Sequence, residues 1–205
     1  MIQKDKKAFL GIDLSCDCER ANYLARIFAI FYEELLECWL ENKGFESKGR
    51  PSIYDKNGKW LRKTYDYTLK KNNKYYIVEA KCYLAFENFM HLELTDDSLD
   101  SLLGGKDNFN FFCELGAKNK PYQKYDYYYN NSDEKFEPSG KILLWPKIKK
   151  DEVGKIKKKY NFYEIFSIED AIKEIKNQRK KNAKYFDLVS KYNAWTDVLF
   201  GALIK

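Results

Sequence analysis

The chain has one histidine, His91, in 205 residues. That single imidazole excludes chemistry that needs two: paired-histidine ribonuclease schemes and H-E-x-x-H zinc hydrolases both fall away. A Ser–His or Cys–His triad would have to use His91, and no nucleophile elbow accompanies it. Long apolar runs are missing too. No uncharged apolar stretch approaches the roughly 18 residues of a membrane span. The start, MIQKDKKAFLGIDLSCDCER, has a short basic lead without the apolar core and cleavage site of a signal peptide. A cytoplasmic protein with no membrane partner is expected. The cysteines are Cys16, Cys18, Cys38, Cys82 and Cys113; an odd number without a secretion signal points to reduced thiols. Cys16-x-Cys18 lacks a second Cys or His pair at zinc-knuckle spacing, so structural zinc is not expected.

Charge is present in quantity but unevenly. Residues 141–205 hold 16 Lys/Arg and 8 Asp/Glu, a surplus of +8, whereas residues 1–140 hold 21 and 23, a balance of −2. A basic C-terminal third suits a polyanion, nucleic acid first, although a solvated lysine-rich surface has the same composition.

Periodicity organises the rest. ANYLARIFAIFYEELLECWLENKGF (21–45) places Leu24, Phe28, Phe31, Tyr32, Leu35, Leu36 and Trp39 on one broad helical face, with Gly44 as a stop. KTYDYTLKKNNKYYIVEAKCY (63–83) reads as two strands about a turn at Asn72-Asn73, since Asn tolerates positive φ. In 84–140, LAFENFMHLELTDDSLDSLLGG suggests helix, FNFFCEL suggests strand, and PYQKYDYYYNN is a Tyr-rich excursion whose rings either pack or stack on bases. KILLWPKI (141–148) reads as a buried strand stopped by Pro146, FYEIFSI (162–168) as another, and 167–204 as two helices or one bent helix. With no repeat and no convincing linker, residues 1–205 read as one domain of α/β (α+β) class, with a specificity or insertion region at 84–140.

The hairpin register brings charges together. With Asn72-Asn73 as the turn, Asp66 faces Glu79 and Thr64 faces Lys81, while Tyr65, Tyr67, Leu69, Tyr76, Val78 and Ala80 share the reverse, apolar face. Opposed residues have Cβ atoms about 4.5–5.5 Å apart, so two carboxylates there need compensation from a cation. Lys81 is one source and a divalent ion another, with hard oxygens favouring Mg²⁺ or Mn²⁺. Acid-x-Lys occurs six times in the chain, but only the copy at 79–81 lies in an apolar strand with an acid opposed to it. The alternative is a surface hairpin whose polar face pairs Lys81 with one carboxylate.

These elements resemble the PD-(D/E)xK nuclease superfamily, the restriction-endonuclease-like fold: an amphipathic helix bearing glutamates, then Asp66 on one strand, then Glu79-Ala80-Lys81 on the next. The resemblance covers roughly residues 21–83, with KILLWPKI and FYEIFSI as later strands. Tyr65 stands where the motif often has Pro, a residue that ligates nothing. The resemblance implies a central mixed sheet flanked by helices. It implies Asp66, Glu79, the Ala80 carbonyl and a helix glutamate as holders of Mg²⁺, with Mn²⁺ as substitute. Glu33 lies slightly nearer the buried face than Glu34 and is the first choice, Glu34 the second.

The same resemblance implies phosphodiester hydrolysis of DNA, with catalytic Asp66, Glu79, Lys81 and Glu33. Lys81 would orient or help deprotonate the attacking water, leaving a 5′-phosphate and a 3′-hydroxyl. A type II-like restriction endonuclease, plausibly a homodimer, is the first expectation. A repair, recombination or viral nuclease acting on branched or single-stranded DNA is the alternative, followed by a non-catalytic nucleic-acid-binding protein on the same fold. Lys147, Lys149, Lys150, Lys155, Lys157, Lys158, Arg179, Lys180 and Lys181 are the expected DNA-phosphate contacts. The apolar stripe of Tyr185, Leu188, Val189, Tyr192, Trp195, Val198 and Leu199 serves either a dimer interface or the core.

Overall fold

A computed structural model describes residues 17–61, 65–81, 93–103, 108–129, 133–178, 183–188, 190–191 and 194, with side chains except at 17–29, 101–103 and 108. It begins with helix α1 (Asp17–Asn42). Leu35, Leu36, Trp39 and Leu40 of α1 are buried, the stripe that 3.6-residue periodicity predicts. The helix stops as its sequence suggests. Gly44 takes φ +84°, Phe45 N–H donates to Leu40 C=O and Gly44 N–H to Glu41 C=O. This is a Schellman closure, with Phe45 packed in the same apolar cluster as Leu40.

The central sheet is mixed. Its order is β1 (Glu46–Ser47), β4 (Tyr67–Lys71), β5 (Lys74–Ala80), β9 (Pro138–Trp145), β11 (Phe162–Ser167). β4 runs antiparallel to β1 and β5, while β5, β9 and β11 are parallel. The hairpin has the expected register: Tyr67 pairs with Val78 and Lys71 with Lys74. Its turn carries Asn72 at φ +50° and Asn73 at φ +58°, the doubly left-handed geometry that follows the strand twist. A second sheet is antiparallel, in the order β3 (Trp60–Leu61), β2 (Pro51–Asp55), β7 (Tyr125–Tyr129), β8 (Lys135–Phe136). A short parallel pair joins β6 (Glu93–Leu94) to β10 (Lys147–Ile148).

Helices complete the layers: α2 (Asp96–Leu103), α3 (Asn108–Glu114), α4 (Val153–Tyr160) and α5 (Ile168–Gln178). α1 and α5 cover one face of the central sheet, against Tyr76, Val78, Ala80, Ile142 and Leu144. α3 and the second sheet cover the other, against Ile77, Leu143 and Trp145. The fold is thus α+β, a mixed central sheet flanked by helices.

Two expectations need correction. The Thr68–Ile77–Glu79 face is not a solvated one: Thr68 and Ile77 are fully buried and Glu79 is 7% exposed, because α3 and the second sheet lie over it. FNFFCEL, expected as strand, is helix α3; Phe109, Phe112 and Cys113 are buried on one side of it, a spacing of three and four that suits a short helix as well as a run. The lysine-rich stretch 153–160 lies between strands and forms helix α4, which ends at Asn161 in the left-handed region, φ +55°. The Tyr-rich excursion is mainly structural: Tyr127 is buried and Tyr125 and Tyr129 pack on the core. Tyr185 is fully buried and accepts a hydrogen bond from Asn42 at 2.6 Å, so this part of the C-terminal stripe serves the core. Val189, Tyr192, Trp195, Val198 and Leu199 lie outside the described residues. No helix among the described residues is long and apolar enough to cross a membrane.

Candidate active site

The sheet's parallel strands β5 and β9 end side by side, and the chemistry-bearing residues collect at that end. β5 supplies Glu79. One residue beyond it, Lys81 continues the ladder by donating its N–H to Leu144 C=O at 2.9 Å. Strand alternation puts Glu79 and Lys81 on one face. There the Lys81 ammonium lies 2.6 Å from Glu79 Oε1 and 4.2 Å from the Phe109 ring centroid. A carboxylate and an aromatic face offset the desolvation of an amine in that position.

Asp66 arrives differently from the expectation. The β4–β5 ladder stops at Tyr67–Val78, and the chain bends at Asp66. Asp66 N–H still donates to Val78 C=O at 3.1 Å. The next donor along β5, Ala80 N–H, is taken by the Asp66 side chain, with N to Oδ2 at 2.6 Å. The carboxylate has replaced the main-chain carbonyl that a longer strand would have offered. The bend also switches faces. Tyr67 belongs to the helical side of the core, whereas Tyr65 packs on Phe112 on the other side, rings 5.2 Å apart.

Glu33 of α1 completes the group. Arg50 Nη2 lies 3.7 Å from Glu33 Oε2 and 3.8 Å from Asp66 Oδ1, so one guanidinium nitrogen serves two carboxylates. Glu34 points elsewhere, 3.9 Å from the Lys191 ammonium. Burial, with the Asp66 charge next, pushes Glu33 from 4.5 up to about 7, while Arg50 pulls the other way. Burial also raises Asp66, opposed by the Ala80 N–H and by Lys81 and Arg50. Crowded, desolvated carboxylates of this kind gain from any cation placed among them.

The donor set is hard oxygen throughout, and it already accommodates a positive group between Glu33 and Asp66. Both features fit a small divalent ion. As they stand, Asp66 Oδ2 is engaged by Ala80 and Glu79 Oε1 by Lys81. Among the described residues no three acidic, histidine or cysteine side chains converge closely enough to enclose a metal. Admitting an ion therefore requires these side chains to turn.

The expected DNA contacts divide by position. Lys147 and Lys150 are exposed and follow β9 directly, at the Glu79–Lys81 end of the sheet. Lys149 is there too, paired with Glu152 at 2.7 Å. α4 then carries the chain back, so that Phe162 opens β11 beside Lys141 at the start of β9. Lys158 is exposed in the last turn of α4, and Lys157 pairs with Glu164 at 2.8 Å; both stand toward the opposite end. Lys155, also exposed, lies near the middle of α4. Arg179, Lys180 and Lys181 lie outside the described residues.

Two contributors to the site, and a buried lysine on the same sheet face, escaped the sequence reading. Phe109 under Lys81 was hidden by taking α3 for a strand. Arg50 had a weak signal: it is one of five arginines among 37 basic residues, placed in a loop where a lysine would serve solubility as well. Lys141 was read as part of a buried strand without remark. It is fully buried, its ammonium donating to Cys113 C=O at 2.5 Å with the Phe162 ring centroid 5.0 Å away. Cys113 is the second-last residue of α3, so Lys141 satisfies a carbonyl the helix leaves open. Burial drives Lys141 from 10.5 down to about 7.

No family model matches this chain, and neither the curated proteins nor the solved structures contain a match to it.

Proposed function

We propose that the chain is a divalent-metal-dependent DNA endonuclease of the PD-(D/E)xK type. The observation that carries this reading is the meeting of Glu79 and Lys81 at the end of β5 with Asp66, whose carboxylate bonds to the amide of the residue between them. The contact of Glu33 with the same group through Arg50 adds the helix glutamate that the resemblance calls for. Asp66, Glu79, the Ala80 carbonyl and Glu33 would hold Mg²⁺, or Mn²⁺ in its place. Bound there, the ion supplies polarisation of a phosphoryl oxygen and a more acidic water. Lys81 orients the attacking water through its N–H groups and offsets the negative charge that develops on the phosphate. Glu79 and Phe109 fix the Lys81 head for that task. Lys147 and Lys150, exposed at the same end, contact flanking phosphates.

Restriction of duplex DNA, by a cytoplasmic homodimer with one site per strand, is the role placed first. Incubation with supercoiled, linear, branched and single-stranded DNA, in Mg²⁺ or Mn²⁺ against EDTA, tests the reaction and sorts the substrates. Metal-dependent cutting that Lys81→Ala reduces by about 10²–10⁴-fold is expected. Absence of cutting on every DNA form with both metals would sink the proposal.

A further inference from the structure

We infer that Arg50 is a displaceable counter-ion of the acidic group, held by Glu33 and Asp66 until a divalent cation takes its place and then turned onto the phosphate to be cut. This rests on the nuclease reading above.

The anchor of Arg50 is fixed and its head is loose. Lys48 N–H donates to Thr68 C=O at 2.9 Å and Thr68 N–H to Gly49 C=O at 2.7 Å, which ties the backbone before Arg50 to β4. Gly49 makes the necessary turn at φ +75°, and Pro51 opens β2 immediately afterwards. The guanidinium, by contrast, donates one long hydrogen bond, from Nε to Asp66 C=O at 3.4 Å, stands 3.7 and 3.8 Å from its two carboxylates, beyond hydrogen-bond length, and its side chain is 57% exposed. Its attraction to the two carboxylates is Coulombic, and turning outward breaks one long, exposed hydrogen bond at little desolvation cost.

The other cation at the site is built the opposite way. Lys81 is 23% exposed, hydrogen-bonded to Glu79 at 2.6 Å and seated on Phe109. One positive group is bonded and seated, and the other is held by charge and one long hydrogen bond. An ion bound by Glu33 and Asp66 would remove the attraction that holds Arg50 and repel it. A planar guanidinium released beside a phosphate finds its preferred bidentate partner. The same residue would thus guard the acids against repelling one another and then deliver charge to the substrate.

Calorimetric titration with Ca²⁺ or Mg²⁺, without DNA, reads the competition directly. Arg50→Ala is expected to bind the ion about 3–10-fold more tightly than wild type, the size of a lost exposed ion pair. Arg50→Lys, which keeps the charge, stays within about twofold of wild type on the same scale. On DNA, Arg50→Ala raises KM or lowers kcat, and Arg50→Lys restores only part of the loss. Unchanged or weaker ion binding by Arg50→Ala, in a protein whose wild type binds the ion and cuts, overturns the role of Arg50 alone. A wild type that neither binds the ion nor cuts overturns this inference and the nuclease reading together.

Discussion

Two lysines stand on the same face of the central sheet, under the same short helix, and meet opposite fates. Lys81, at the end of β5, has the Glu79 carboxylate at 2.6 Å and the Phe109 ring above it. Lys141, near the start of β9, has the Cys113 carbonyl and the rings of Phe112 and Phe162. The aromatic surroundings are alike; the counter-ion is not, nor is the burial, with Lys141 fully enclosed and Lys81 23% exposed. Without an acid beside it, Lys141 is driven down to about 7 by burial and serves as a helix cap. With one, Lys81 keeps a partner that holds its head at the acidic end. A carboxylate two residues away, together with partial exposure, separates an amine paired at the acidic end from one that plugs a helix end.

The sharpest way to break this contrast is Glu79→Gln, which takes from Lys81 the carboxylate it bonds to. Cleavage of supercoiled DNA is expected to fall by at least about 10²-fold while circular dichroism stays native. A variant that cuts at the wild-type rate removes Glu79 from the site.

Next in size is the titration of Lys141. Its folded value lies below its unfolded value, so between the two the unfolded chain binds more protons, and stability rises with pH. From about pH 7 to pH 9.5, below the range where exposed tyrosines ionise, its contribution grows by up to about 3 kcal/mol. Lys141→Met removes that slope in urea titrations run across the range. Parallel curves for wild type and variant would show that Lys141 titrates normally.

The smallest effect lies on Glu33, at the acidic end, and has the reverse sign. Its folded value is raised from 4.5 to about 7, so the folded state holds the extra proton and stability falls as pH rises between those values. Asp66, also raised, adds in the same direction. A loss of about 1–3 kcal/mol is expected without divalent ions, the partial exposure of Glu33 lowering the figure. Glu33→Gln flattens it, as thermal melts at about pH 5 and pH 7 will register.

The α1 stripe, the Asn72-Asn73 turn, the hairpin register and the two later strands were legible because each depends on local periodicity or a residue that tolerates positive φ. The pairing of Glu79 with Lys81 was legible for the same reason, since alternation in a strand is a local rule. The opposition of Asp66 to Glu79 was not, because the strand bends one residue early and the Asp66 side chain takes over a backbone role. The burial of Glu79 was equally invisible: it depends on α3, whose residues read as a strand, and on a second sheet drawn from 51–61 and 125–136. Arg50 reaches the acids only because segment 48–50 runs beside β4, a pairing between residues nearly twenty positions apart.

The Asp66–Ala80 contact has a spectroscopic consequence. The Ala80 amide proton is held by a side-chain carboxylate rather than a backbone carbonyl, so anything that recruits Asp66 Oδ2 sets that proton free. Its nuclear magnetic resonance shift and its rate of exchange with deuterium would then report occupancy of the acidic end from inside the sheet, in the resting protein and without any substrate. A hydrogen atom of the main chain becomes the molecule's own indicator dye.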